Sequence, residues 1–175
     1  NALVVHLNPL QELIQPEGEP KYKGVLSKIK GICENFDIPI IVKEVGAGIS
    51  MEVARKLESA GVSAINIAGA GGTSWAGVEK IRAETAHDTN KINLGELFWD
   101  WGIPTALSLM EVRNSAKLPV IASGGIRNGL EIAKCIALGA DMCGVAYPFL
   151  KHASKSLESL SEFTNKTLTE LKGTM

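Results

Sequence analysis

Polar residues placed at the ends of short apolar runs are where chemistry could reside in this chain. Residues 2–7 alternate, with Val4, His6 and Asn8 on one parity and Leu3, Val5 and Leu7 on the other. If the apolar set faces covering helices, His6 and Asn8 point the opposite way at the end of the run. A histidine there can hold or move a proton near neutral pH, or serve structure alone. Pro9-Leu-Gln-Glu12 follow at once and add an amide and a carboxylate. Glu12 is the best candidate for a magnesium contact, because that ion often binds through one or two carboxylates together with substrate phosphate.

Lys43 lies in the run 39–45, where Ile41, Lys43 and Val45 alternate with Ile40, Val42 and Glu44. A buried ammonium requires a partner. Either a carboxylate on a neighbouring strand neutralises it, or a bound cofactor ring presents it with negative charge. Two glycine turns follow other runs. Ala68-Gly-Ala-Gly-Gly-Thr-Ser-Trp75 offers backbone that can approach a ligand closely and present N–H groups to an anion. Ser123-Gly-Gly-Ile-Arg-Asn-Gly129 pairs such a turn with Arg127, and Gly144-Val-Ala-Tyr-Pro148 ends the next run. As the seventh and eighth strands of a barrel these would hold phosphate, with the glycine-turn N–H groups and Arg127 as donors. His87 and His152 lie in polar stretches expected to be exposed, carry no assigned role, and make no metal-ligand spacing.

The elements that must position these residues recur in order. Runs rich in β-branched residues at 2–7, 39–45, 64–68, 119–122 and 142–146 read as strands. Helical patterns fall between and after them, at 23–35, 50–60, 105–115, after Asn128, and at 154–171. In the second, Ser50 caps and Val53, Ala54, Leu57 and Ala60 form one face; after Asn128, Ile132, Ala133, Ile136 and Ala137 form the inner side. Five βα units imply a parallel sheet, either open or part of a barrel. Gly61-Val-Ser-Ala-Ile-Asn-Ile-Ala68 and Gly139-Ala-Asp-Met-Cys-Gly-Val-Ala146 share one layout, which favours the barrel. A complete (β/α)8 barrel takes about 200 to 250 residues, so the expectation is a single domain over 1–175 that forms the C-terminal part of a TIM barrel, with the N-terminal units absent. The long connection 73–104, with Phe98-Trp-Asp-Trp101, would either cover a ligand above the barrel or pack as a surface helix.

Composition narrows the partners. At 45% hydrophobic and 21% charged, the chain has material for one core, and a formal net charge of -1 with interspersed signs gives no footprint for nucleic acid or an anionic membrane. Cys33, Cys135 and Cys143 lack zinc or redox spacing, so buried reduced thiols in a cytoplasmic protein are expected. No apolar run reaches the roughly 20 residues of a membrane span.

Taken together, His6-Leu-Asn-Pro-Leu-Gln-Glu12, Gln15-Pro-Glu-Gly18, Val42-Lys-Glu-Val-Gly46, Ala70-Gly-Gly-Thr-Ser-Trp75, Trp101-Gly-Ile-Pro-Thr105 and Gly124-Gly-Ile-Arg127 resemble type 2 isopentenyl-diphosphate isomerase, in that family's order and over nearly the whole chain. The Gly-Gly-Ile-Arg element is shared with other FMN barrels. The first and fourth blocks are more specific. The resemblance implies interconversion of isopentenyl and dimethylallyl diphosphates in isoprenoid biosynthesis, with reduced FMN, Mg2+ and NAD(P)H as reductant. It also implies a homo-oligomer acting on a small diphosphate.

Position by position, the resemblance implies that Lys43 sits at the flavin pyrimidine edge. Thr73, Gly124, Gly125, Arg127, Ala146 and Tyr147 would line the flavin and its phosphate. His6, Asn8 and Gln11 would hold the substrate, Gln11 nearest the reacting carbons, Glu12 would take the metal, and Glu79 would join the flavin-side network. The departure is one of extent, since the family's first three βα units and full C-terminal tail have no counterpart here, and the chain alone is expected to bind FMN poorly. Two alternatives stand beside this reading. An FMN-dependent 2-hydroxy acid oxidase would share the lysine and phosphate turn but needs a histidine base and carboxylate-binding arginines, of which only Arg127 ends a strand. An inactive barrel fragment would keep the fold without the activity.

Overall fold

The computed structural model describes residues 1–175. Five strands, β1 (Leu3–His6), β2 (Ile40–Lys43), β3 (Ala64–Asn66), β4 (Val120–Ser123) and β5 (Met142–Gly144), pair in parallel in the order β1-β2-β3-β4-β5. Sequential order is informative, because a doubly wound sheet reverses its strand order at a switch point whereas a barrel never does. The helices are α1 (Pro9–Ile14), α2 (Val25–Asn35), α3 (Met51–Ser59), α4 (Trp75–Thr85), α5 (Thr89–Leu97), α6 (Thr105–Arg113), α7 (Gly129–Ala137), α8 (Tyr147–Ala153) and α9 (Leu157–Lys172). The chain is thus the five-unit part of a (β/α)8 barrel. No helix is long and apolar enough to cross a membrane.

Register explains which face of the sheet works and which packs. Val5 pairs with Val42, Val42 with Ile65 and Ile65 with Val120, and this row is turned toward the helices. There it meets Leu57, Leu109 and Val112 in the one hydrophobic core. The alternate row is His6, Lys43, Asn66 and Ile121, the barrel's inner face. Val4 is 49% exposed and Met142 64%, since β1 and β5 are the sheet's outer strands and this row has no facing partner in the chain.

Local signals account for the helices that were legible. Ser50 accepts from Val53 N–H at 3.3 Å to start α3, and Ala54 and Leu57 are its buried residues, with Ala60 buried just beyond its end, whereas Val53, expected on the same face, is 37% exposed. Asn128 accepts from Glu131 N–H at 2.9 Å, and the Glu131 carboxylate returns to Arg127 N–H at 2.6 Å, so the glycine turn runs into a doubly tied helix start.

Several expectations change. On α7, Ile132 and Ala133 pack inward as expected and Gly129 and Cys135 join them, whereas Ile136 is 37% exposed and Ala137 lies outside. The backbone of α9 at Thr167 and Leu171 packs directly on Gly129, so α7 also buries its glycine against α9. The last helix begins at Leu157, capped by Ser156, because α8 continues through Ala153. The connection 73–104 holds two helices rather than one. Trp99 lies against Gly77 and Lys80 Nζ stands 5.5 Å from the Trp99 ring, joining the α4–α5 pair. His152 is half-buried, stacked on Phe163 at 4.5 Å and bonded to Ser159 Oγ, a packing role; His87 is exposed as expected. All three thiols are free, with Cys135 buried and Cys33 and Cys143 half-buried.

Candidate functional site

A cavity of about 680 Å³ opens at the C-terminal ends of β2 to β5, a volume typical of small-molecule sites. Lys43, Thr73, Gly124, Gly125, Arg127, Ala146 and Tyr147 all line it, so the seven residues that the family resemblance assigned to the cofactor meet in one place. Lys43 makes no ion pair. Burial pushes its ammonium below the usual lysine range, and the neighbouring Glu44 charge offsets this only partly. The carboxylate-neutralised alternative for Lys43 is therefore absent: Glu44 points away, its Oε2 accepting from the N–H groups of Val45, Gly46 and Ala47 at 2.5, 2.6 and 2.5 Å. Burial raises the Glu44 carboxyl above its ordinary range, and those three bonds oppose the rise.

The two glycine turns meet backbone to backbone. A Cβ on Gly124 would strike the Gly69 carbonyl and one on Gly125 the Gly71 carbonyl, and both glycines have left-handed φ, 104° and 76°. The N–H groups of Gly72, Thr73, Gly125 and Ile126, all on the cavity wall, have no acceptor within the chain. Unpaired donors converging on glycine turns suit a phosphate. Arg127 bridges the turns from the solvent side, NH1 donating to Gly125 O at 2.6 Å and NH2 to Gly71 O at 2.8 Å. Its remaining donors are left for an anion. A cofactor with a phosphate and an electron-rich ring thus fits the residues present, phosphate at the turns and ring edge at Lys43.

Sequence reading missed Asn66 and Ser123, which lie on the inner face between Lys43 and the turn. Asn66 Oδ1 accepts from Ser123 Oγ at 2.6 Å and from Ala68 N–H at 3.3 Å. The second donor fixes the amide orientation and leaves Nδ2 without a partner in the chain. A polar residue within the apolar run 64–68 was the available signal. Ala68, where this strand meets its turn, has a left-handed φ of 36°, strain of the kind held at functional sites.

Gln11 lines an adjoining cavity of about 420 Å³ that shares Val45, Gly46, Thr73 and Trp75 with the first and is closed by Trp99 and Trp101. The connection 73–104 therefore walls a cavity as well as packing on the body. Gln11 Nε2 donates to Glu79 Oε1 at 2.9 Å, and Glu79, 1% exposed, also accepts from Arg82 NH1 at 2.7 Å. Arg82 in turn pairs with Glu17 at 2.8 Å.

His6, Asn8 and Glu12 stand outside both cavities. His6 is exposed beside Lys43 in register. Asn8 Oδ1 accepts from Tyr22 Oη at 2.7 Å, while its Nδ2 donates to Glu12 Oε1 at 3.0 Å. Glu12 Oε2 accepts from Glu19 N–H at 3.0 Å, and these two bonds hold its carboxyl below the usual range, the Glu19 bond most. No cluster of three His, Cys, Asp or Glu gathers anywhere in the chain, so Glu12 offers one carboxylate and no protein cage.

Residues 12–175 match a family model described as FMN-dependent dehydrogenase. The isopentenyl-diphosphate delta-isomerase of Methanothermobacter thermautotrophicus is 59% identical over 153 residues, covering 87% of this chain and 42% of that protein. The protein of the same name from Pyrococcus furiosus is 51% identical over 176 residues, covering 100% of this chain and 44% of its own length. The chain thus spans less than half of these curated relatives. Among solved structures, mandelate oxidase with (S)-2-phenylpropionate aligns over 86% of this chain and 38% of that one, with TM-score 0.60 and 21% identity, a likeness of fold.

Proposed function

This chain belongs to the FMN-dependent dehydrogenase family, and from that premise we propose that the protein carrying it is an isopentenyl-diphosphate delta-isomerase that interconverts isopentenyl and dimethylallyl diphosphates. The observation that carries the proposal is the shared cavity of Lys43 and the Gly124–Gly125 turn, an ammonium and an anion cradle lining one space of about 680 Å³. The identity of 51% to 59% with proteins of that name supports the choice of reaction. In this reading 1–175 is one domain supplying five of the eight barrel units.

Reduced FMN, when bound, supplies an electron-rich ring able to take part in moving a proton on the allylic system, with NAD(P)H as the source of reduction. The chain's residues do the rest. Lys43 stabilises negative charge at the ring edge. The N–H groups of Gly72, Thr73, Gly125 and Ile126, with Arg127, would hold the cofactor phosphate, and Ala146 and Tyr147 line the same cavity. Gln11, whose Nε2 is committed to Glu79, turns its Oε1 to the substrate as an acceptor. His6 and Asn8 bound the substrate on the β1 side. Glu12 would hold Mg2+ through its carboxylate, together with the substrate diphosphate and water. The rival oxidation of 2-hydroxy acids needs arginines to grip a carboxylate, and Arg127 is the one arginine in the Lys43 cavity.

The test is to assay the full-length protein for isomerisation of isopentenyl diphosphate with FMN, Mg2+ and reductant. Conversion dependent on all three is expected. Conversion that survives removal of FMN overturns the reading, as does turnover of a 2-hydroxy acid in place of the diphosphate.

A further inference from the structure

The segment from Trp101 to Thr105 runs across the ends of three strands and ties their loops together. Ile103 N–H donates to Ala47 O at 2.8 Å beyond β2, Ala70 N–H donates to Ile103 O at 2.9 Å beyond β3, and Thr105 N–H returns to Ala70 O at 3.1 Å. The Thr105 side chain completes the stitch beyond β4. Its Oγ1 lies 2.6 Å from Gly124 O, against 3.4 Å from Ala70 O and 3.5 Å from Ser123 O. A hydroxyl has one proton to give, and the short contact takes it.

The consequence follows from the peptide plane. In a trans peptide the carbonyl and the following N–H point in opposite directions. With the Gly124 carbonyl held on Thr105, the Gly125 N–H is turned away from Thr105, on a residue that lines the cavity and with no acceptor of its own in the chain. The fit beneath allows little slack, since a Cβ on Gly69 would come within 2.7 Å of both the Thr105 N and its Oγ1. Thr105 itself does not line the cavity.

We propose that Thr105 is a positioning residue for the anion cradle: its hydroxyl sets the Gly124–Gly125 peptide so that the Gly125 N–H faces the phosphate of the bound flavin. The inference rests on the FMN reading and concerns the phosphate end alone. Arg127 grips the same turn from the solvent side with charge, whereas Thr105 fixes it from the protein side without charge.

The experiment is a titration of the full-length protein and its T105V and T105S variants with FMN and with riboflavin, which lacks the phosphate. Valine keeps the volume and removes the donor; serine keeps the donor. Wild type binding FMN more tightly than riboflavin, T105V losing about tenfold in FMN affinity with riboflavin affinity unchanged, and T105S close to wild type is the expected pattern. If T105V does not fold, T105C, whose thiol is a weak donor, gives the same contrast. A variant that weakens both flavins equally, or neither, in a wild type that discriminates them overturns the role of Thr105 alone. A wild type that gains nothing from the phosphate overturns the FMN reading and this inference with it.

Discussion

Gln11 on α1 and Glu79 on α4 are 68 residues apart in sequence and joined by a 2.9 Å hydrogen bond that crosses from one βα unit to the insertion of another. The buried Glu79 carboxylate thereby decides which end of the Gln11 amide faces the cavity. Gln11→Ala is expected to leave FMN bound and to slow isomerisation by about a hundredfold, a positioning loss. Glu79→Ala should act through the same bond, so the double variant should be little slower than the worse single variant. Measured kcat values that multiply rather than overlap would separate the two residues.

Lys43 is the one ammonium in the larger cavity and has no carboxylate partner. Lys43→Met keeps the stem and removes the charge. Flavin affinity should fall by about tenfold to a hundredfold, the worth of a charge-assisted bond, while the thermal midpoint without flavin should hold or rise, because burial of the ammonium is unfavourable. Equal flavin binding in wild type and variant would place the ring elsewhere.

Much of this arrangement was legible because strand alternation is local. His6 and Lys43 share the inner face that period-two reading gives them, and the glycine turns follow their strands, although His6 stands outside both cavities. What was not legible depended on partners remote in sequence or on unusual packing. The buried residues of α4 are Ala76, Gly77, Glu79 and Ala83, small side chains and a carboxylate, so no apolar stripe announced a helix. Asn8 and Glu12 looked like free site groups, yet Tyr22 and Glu19 satisfy part of each. Thr105 ended the Trp101-Gly-Ile-Pro-Thr105 block but carried no role of its own, since that role depends on a carbonyl 19 residues later.

Glu44 sets a pH dependence whose sign can be worked out. Its carboxyl is raised in the folded chain by burial, so the folded state binds the proton more tightly than the unfolded state. Stability from this group is fully present below the unfolded value of about 4.3 and is lost as pH rises through the raised folded value. Glu44→Gln should remove that slope. Urea midpoints of wild type relative to the variant should therefore fall as pH increases across this window; a difference that rises would mean the three N–H bonds outweigh desolvation.

Gly124→Ala tests the contact between the two turns. A Cβ there meets the Gly69 carbonyl and a φ of 104°, and neither backbone can yield without opening the cradle. The expected cost is about 1–3 kcal/mol from the backbone alone, together with loss of FMN binding. Gly173→Ala, near the end of the chain at an ordinary φ with 3.4 Å of clearance, is the control and should be close to neutral.

Ser108 holds the loop beyond β2 from below. Its Oγ accepts from Ile49 N–H at 2.9 Å and donates to Ile49 O at 2.8 Å, and both residues are buried, at 0% and 2% exposure. Alanine would strand two backbone groups in a dry core, where each unpaired group costs about 1–3 kcal/mol. Ser108→Ala should therefore lower the urea midpoint by the equivalent of about 3 kcal/mol with unchanged m-value. Ser154→Ala, an exposed hydroxyl bonded to Lys151 O, should stay within about 0.5 kcal/mol of wild type. Because Ile49 follows the Glu44–Ala47 turn, whose Val45 and Gly46 line both cavities, Ser108→Ala should also weaken FMN binding. A stability loss with full flavin affinity would show that α6 supports the core without setting the site.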